Sequence, residues 1–168
     1  MESEPNDAHK LIATLQDTFV VDVITQNVDN LHERAGSKSV LHLHGELMKS
    51  RSTLDDKLVY DISGWELKKG DKCERGSQLR PHIVWFGEAV PMMTPATKIT
   101  AEADIFCVVG TSLAVYPAAS LIHYVPQHCK VFLIDPNPSV QHDSRIVIIK
   151  EKATVGVRKF LEIINQTK

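Results

Sequence analysis

"DIFCVVG", residues 104–110, and "KVFLID", residues 130–135, are the two stretches that decide the fold. Each is a short apolar run, rich in β-branched or aromatic residues, that stops at a glycine or an aspartate; such a run reads as a buried strand. "SRIVIIK" (144–150) is a third run of this kind, and "FVVDVIT" (19–25) is expected to be a fourth buried strand. "VLHLHG" (40–45) reads as another strand, and "HIVWFGE" (82–88) as a short strand or extended segment. Helical patterns lie between them. Leu11, Ile12, Leu15 and Phe19 fall near helical spacing and predict a helix over 6–17. "QNVDNLHERAGSKS" (26–39) reads as a loop with one short helix stopped by Gly36. "TPATKITAEA" predicts a helix with Thr94 as N-cap and Pro95 at the first helical position. "TSLAVYPAASLIHYV" gives a loop and then a helix from near Pro117. "KATVGVRKFLEII" closes the chain with an amphipathic helix, Val157, Phe160, Leu161 and Ile164 sharing one face. Strands alternating with helices favour an α/β fold, a parallel sheet with helices on its faces.

The 168 residues suffice for one ordinary domain with a real core. A net charge of −2 offers no electrostatic footing for nucleic acid. No apolar run approaches the ~18 residues that a membrane helix needs. The opening "MESEPNDAHK" is acidic and polar, unlike a secretory signal. Cys73, Cys107 and Cys129 form an odd, scattered set, which argues against a disulfide framework and for a reducing compartment. A cytoplasmic protein is therefore expected. Between Lys49 and Arg80 the composition turns charged, with Gly64, Gly70 and Gly76 and little periodicity. Residues 49–80 are expected to be a small inserted module, set into a main domain formed by 1–48 and 81–168.

In open parallel sheets, ligands bind beyond the carboxyl ends of the strands. Three polar or glycine-bearing segments follow strands here: "TQNVD" (25–29), "GTS" (110–112) and "DPN" (135–137). Gly110, Thr111 and Ser112 offer backbone N–H groups and hydroxyls suited to phosphate or ribose oxygens. Asp135 is placed as an acidic partner for ribose hydroxyls. Gln26, Asn27 and Asp29 supply amides and a carboxylate that can read a carboxamide. In "LHLHGE" (41–46), alternation sends Leu41 and Leu43 one way and His42 and His44 the other. Gly45 then breaks the strand and admits close approach of backbone or ligand. His44 is left at a rim, where imidazole suits a general base near neutral pH. Taken singly, His44 reads better as a structural histidine and each polar segment as a strand-ending turn. Together they point to a nucleotide site with a basic histidine.

"TQNVDNLHERAG" (25–36), "HLHGEL" (42–47), "RPHIVWFGE" (80–88), "GTSLAVYPAA" (110–119) and "VFLIDPNP" (131–138) fall in the order and spacing of one family. With these segments the chain resembles the sirtuins (Sir2 family), NAD-dependent protein deacylases, and is most similar to their class III bacterial and mitochondrial branch. The resemblance implies a Rossmann-like NAD-binding domain and a lysine deacylase, of deacetylase or desuccinylase type, giving nicotinamide and O-acyl-ADP-ribose. It implies His44 as the catalytic base. In the family the acyl-lysine oxygen attacks the ribose carbon as nicotinamide leaves, and the histidine takes a proton from a ribose hydroxyl. Gln26 then matches a contact to the nicotinamide ribose, Asn27 and Asp29 the nicotinamide pocket, and Thr111 and Ser112 the phosphate and ribose contacts. Val84, Phe86 and Gly87 match the segment that pairs with the substrate peptide as an added strand. Val115 matches another wall of the acyl-lysine groove, and Ala153 the approach to adenine. Asp135 stands where the family often has asparagine; its charge favours NAD over NADP.

Two departures shape the expectations. The family opens with a strand and a phosphate loop of the type GAGxSxxSGIPxFR, and the sequence holds nothing like it. The family pattern places there the first strand of the sheet, the main diphosphate cradle and the tyrosine–arginine pair of class III. The chain is thus expected to be a fragment, a truncated form or a degenerate relative, with weak or absent catalysis alone. An open sheet edge is expected to promote self-association. A non-catalytic NAD or ADP-ribose binding module, and a piece that works only beside a partner, are the competing readings. Secondly, most sirtuins hold a structural zinc with two cysteine pairs. Region 49–80 has only Cys73, Arg51 and Ser52 stand where a first pair is expected, and His82 lies too far into the next strand. One cysteine cannot make a tetrahedral sulfur site. No zinc is expected, and Leu58, Tyr60, Ile62 and Trp65 are expected to hold the module by packing.

Overall fold

A computed structural model describes residues 3–111, 116–139 and 144–166. Its core is organised on β7 (Lys130–Ile134), buried from Val131 onward. β7 pairs in parallel with β6 (Ile105–Val109) on one side and β8 (Ile146–Ile149) on the other. Alternation along β6 splits the core into two faces. Ile105, Cys107 and Val109 pack with Phe132 and Ile134 against the closing helix α4 (Ala153–Asn165) and the opening helix α1 (Asp7–Thr14). Phe106 packs on the other face with Leu43, Ala96 and Leu121, under α3 (Met93–Ala101) and a 3-10 helix (Ala118–Tyr124). The expected face of α4 is largely the buried one: Val157, Phe160 and Ile164 are buried, and Leu161 packs at their margin. Phe132 and Phe160 meet edge to face at 4.9 Å. Gly156 lets α4 ride close on β7, since a Cβ there would lie 2.2 Å from Ile134 Cγ2.

Several local expectations shift. α1 is capped by Asn6, whose side chain accepts from Ala8 and His9 N–H groups, and it tightens into a 3-10 turn (Leu15–Asp17). α3 begins ahead of Thr94, so Met92 and not Thr94 is its N-cap; Pro95 still falls in the first turn, where backbone N–H groups lack helical partners. The segment after Pro117 winds as a 3-10 helix. α2 (Leu31–Arg34) stops just before Gly36, which takes φ +103° as a helix terminator.

The largest correction concerns "FVVDVIT". Strand β1 covers only Val23–Thr25, and Val20 is fully exposed. β1 pairs in parallel with β2 (Val40–His42), and among the described residues neither strand pairs with β6. The parallel sheet is therefore in two pieces. Every residue of β1 and of β6 lines a cavity of about 820 Å³ between them, with Phe19, Val21 and Leu15 on the same wall. A run composed for burial is partly exposed, with no strand among the described residues paired along the edge of β1 away from β2.

A second sheet is antiparallel, in the order β4 (Val59–Asp61), β3 (Gly45–Ser52), β5 (Leu79–Ile83). The expected apolar cluster does not hold it. Trp65 is exposed, and Leu58, Tyr60 and Ile62 are only half-buried. What is buried is small and polar: Ser50, Ser52 and Cys73. Ser52 Oγ accepts from Leu54 N (3.1 Å) and Asp55 N (3.3 Å), the hydroxyls of Thr53 and Ser77 lie 2.6 Å apart, and Tyr60 donates to Glu74. Too few apolar side chains converge here, so turn hydrogen bonds take over.

Candidate functional site

His44 sits in the turn that joins β2 to β3, not in a strand, because β2 already ends at His42. Leu43 points into the core at 1% exposure, while the half-buried His44 ring turns toward the carboxyl end of β1. Its Nδ1 lies 3.0 Å from the Gln26 carbonyl oxygen. A carbonyl only accepts, so Nδ1 carries the proton and Nε2 of the neutral ring holds a lone pair. The nitrogen left able to accept a proton is Nε2. Gly45 makes the turn possible: it takes φ +84°, and a Cβ there would lie 1.9 Å from the His82 carbonyl oxygen. The backbone of His44 accepts from Val84 N at 2.9 Å, which joins this rim to the segment after β5.

The expected cofactor residues divide. Gln26 and Asn27 beyond β1, and Gly110 and Thr111 beyond β6, line the 820 Å³ cavity. Gly110 turns the chain out of β6 with φ +66°. Asp29 caps the start of α2, its Oδ1 accepting from Leu31 N at 3.1 Å. Asp135 closes a tight turn, its Oδ1 accepting from Asn137 N at 2.7 Å; it does not line the cavity. Ala153 opens α4 and packs on the core, also away from the cavity. Ser112 and Val115 lie outside the described residues. Among the substrate residues, Val84 is half-buried beside His44, Phe86 is fully exposed, and Gly87 takes φ +87° at the tip of a turn. Phe86 is thus not a core residue.

His42 was not marked by the sequence as a site residue. Its side chain is 7% exposed; Nδ1 lies 3.1 Å from the Asn27 carbonyl and Nε2 2.7 Å from Glu33 Oε1. It ties the cavity-lining Asn27 to α2. The alternation of "LHLHGE" put His42 and His44 on one side, and that was the available signal. Asn30 Oδ1 and His32 Nδ1 are buried without a hydrogen-bond partner among the described residues, next to Asp29. Such atoms are costly unless something supplies the missing bond. A carboxamide-bearing ligand brings both donors and an acceptor, so the donor set fits the nicotinamide end of NAD.

Burial pushes the His32 imidazole below its ordinary range, with His9 at 4.7 Å adding to the effect and Glu33 and Asp29 opposing it. Burial lowers His9, and burial with Arg51 and Lys49 lowers His82. Each binds a proton more readily unfolded than folded. Stability is therefore complete above the unfolded value near 6.5 and is lost as pH falls toward the depressed folded values. Urea midpoints are expected to drop steadily between about pH 7 and pH 5, and His32→Gln to flatten that slope. An unchanged slope would show that His32 does not carry it.

The Sir2 family model matches residues 1–117. An NAD-dependent protein deacylase of Bacteroides thetaiotaomicron is 49% identical over 170 residues, covering 98% of this chain and 73% of the relative. The crystal structure of a Sir2 homolog–NAD complex superposes with a TM-score of 0.84 at 34% identity, over 99% of this chain and 67% of that one. A Sir2 bound to acetylated peptide superposes with a TM-score of 0.78 at 29% identity, over 98% and 72%. The chain spans about seven-tenths of the length of these proteins. A rim histidine held by the carbonyl beyond β1, polar strand ends sharing one cavity, and identity of this extent agree: the chain belongs to the Sir2 family.

Proposed function

We propose that the chain carries the working site of an NAD-dependent protein lysine deacylase, with His44 as its general base. The observation that supports this best is the bond from His44 Nδ1 to the carbonyl of Gln26, a residue that lines the cavity, which leaves Nε2 as the proton-accepting nitrogen. Bound NAD supplies an activated ribose carbon with nicotinamide as leaving group. The rest falls to the protein. Gln26, Asn27 and Asp29 hold the nicotinamide end, and Gly110, Thr111 and Ser112 the phosphates and ribose; Asp135 and Ala153, which lie off the cavity, would meet only the far end of the cofactor where it extends past the cavity. His44 accepts a hydroxyl proton at Nε2, a step worth about 10²- to 10⁴-fold in rate for a well-placed base. Val84, Phe86, Gly87 and Val115 take the acyl-lysine peptide as an added strand.

The open edges of β1 and β6 qualify the reading. A cavity that runs the length of both strands leaves the cofactor wall incomplete, so turnover by these 168 residues is weak or absent and the chain self-associates through the open edge. The same observation favours the second reading, a non-catalytic NAD or ADP-ribose binding module. Calorimetric titration with NAD, ADP-ribose and an acetyl-lysine peptide separates them. Binding of nucleotide and peptide, with any O-acyl-ADP-ribose formation lost in a His44 variant, supports the deacylase; nucleotide binding with no peptide affinity supports the binding module. Binding of none overturns both.

Residues 49–80 serve as a structural module without zinc. The region carries only Cys73, too few thiolates for a tetrahedral sulfur site, and Ser52 and Ser77 flank that cysteine in its turn network. A preparation made without chelator is expected to contain no stoichiometric zinc by metal analysis; stoichiometric zinc would contradict this. Among the described residues no helix is long and apolar enough to cross a membrane.

A further inference from the structure

Antiparallel register places Arg51 of β3 directly opposite Arg80 of β5. Like charges facing across a ladder are destabilising unless a counter-charge joins them. Glu88, beyond the end of β5, is that counter-charge. Its carboxylate accepts from Arg80 Nη1 (2.7 Å) and Nη2 (3.2 Å), from Arg51 Nη2 (3.2 Å) and from the backbone N–H of Trp85 (3.1 Å). Arg80 and Arg51 also donate to the Ile83 carbonyl, at 3.2 and 3.4 Å. The hydrogen bond from Arg80, first among several, holds the Glu88 carboxyl at about 2, so the clamp stays charged through the whole neutral range.

The clamp closes a turn. Glu88 N donates to the Trp85 carbonyl at 3.0 Å, Gly87 takes φ +87° at the tip, and Phe86 stands fully exposed on it with Trp85 half in solvent. An exposed aromatic pair on a short loop gains nothing from the core. What fixes it is polar and lies behind it. The neighbouring Val84 N–H is bonded to the carbonyl of His44. One rigid turn thus carries both an aromatic tip and a main-chain edge at a set offset from the basic histidine.

We propose that Glu88 is a positioning residue for the peptide substrate, clamped by Arg51 and Arg80 so that the Val84–Phe86 edge is pre-ordered beside His44. This rests on the deacylase reading of the site. Pre-ordering a binding edge lowers the entropy lost when a peptide pairs with it, and carboxylate–guanidinium bonds supply the needed fixity. Arg51 also links the substrate edge to the 49–80 module, which gives that module a task at the site.

Trp85 reports on the turn. In a W65F background, which removes the other, exposed tryptophan, Trp85 fluorescence reads acetyl-lysine peptide binding in the full 168-residue chain. E88Q keeps the side-chain shape and loses the charge. It is expected to weaken peptide binding about tenfold while NAD affinity stays unchanged and the urea midpoint falls only modestly, from the Arg51–Arg80 pair left without its counter-charge, and to speed hydrogen exchange at Trp85 and Glu88. E88D, which keeps the charge, is expected to recover part of the peptide affinity. Unchanged peptide affinity and exchange in E88Q overturn the proposal while leaving the deacylase reading intact. Equal losses in NAD binding and stability also overturn it, since they mark a general structural role. Failure of the wild-type chain to bind peptide overturns the deacylase reading, and the role of Glu88 falls with it.

Discussion

Gly45→Ala is expected to disrupt the rim between β2 and β3 and to cost more than any other glycine substitution in this region. The added Cβ would lie 1.9 Å from the His82 carbonyl oxygen, 2.9 Å from its carbon and 3.2 Å from the Ile83 Cα. All three are backbone atoms of the partner strand, so no side chain can swing aside. Gly64→Ala provides the control. Gly64 has nearly the same φ, +86° against +84°, and nothing within 4 Å of its Cβ position. It therefore isolates the conformational term, about 1 kcal/mol for a left-handed non-glycine residue. The difference between the two variants is the steric term, and with strand pairing displaced it is about 3 kcal/mol, a large share of a typical domain's stability. Urea unfolding of both variants gives this difference directly. The same displacement separates the His44 carbonyl from Val84 N, so peptide affinity should fall in Gly45→Ala and hold in Gly64→Ala. Equal stability losses in both would mean that β3 and β5 can slide apart at no cost, and that the rim is not rigid.

The second large effect is chemical. His44→Gln leaves a side chain that still donates to the Gln26 carbonyl but cannot take a proton. Formation of O-acyl-ADP-ribose from NAD and acetyl-lysine peptide should fall by about 10²- to 10⁴-fold, the usual contribution of a general base. Single-turnover conditions, with protein in excess of NAD, make even a weak wild-type turnover measurable. NAD affinity and urea midpoint should match the wild type, since the ring is only half-buried and its one bond is preserved. Parallel loss of binding and turnover would instead make His44 a structural residue, the reading that the ring carried when considered alone.

The parts of the fold that were legible in the sequence are those whose pattern is local and whose neighbours are present. β6, β7 and β8 are apolar runs with strands or helices packed on them, and α4 shows its buried face at helical spacing. "FVVDVIT" failed for the opposite reason. Its composition reports an environment with neighbours on both edges, while the structure pairs only Val23–Thr25 and on one side. Trp65 failed because a large aromatic in a small module was read as glue, whereas serine and threonine hydroxyls close those turns. At the site, His44 was visible because glycine follows it directly. His42 gains its role from Glu33, nine residues upstream, across a loop whose path no periodicity reveals. The Arg51–Glu88–Arg80 clamp depends on strand register, which sets two distant arginines opposite each other. Pairwise placement of that kind is a property of the assembled sheet, not of any window of sequence.

His44 Nδ1 holds its proton against the carbonyl of the cavity-lining Gln26, which leaves Nε2 as the unprotonated nitrogen. Long-range proton–nitrogen NMR of the histidine rings, with His44 assigned by its loss in His44→Gln, reads this directly. Above neutral pH the expected pattern is protonated Nδ1 and bare Nε2, with the Nε2 resonance moving as NAD is titrated in and Nδ1 staying hydrogen-bonded. A ring protonated at Nε2, or an Nε2 resonance that stays still while NAD saturates the protein, would contradict the account.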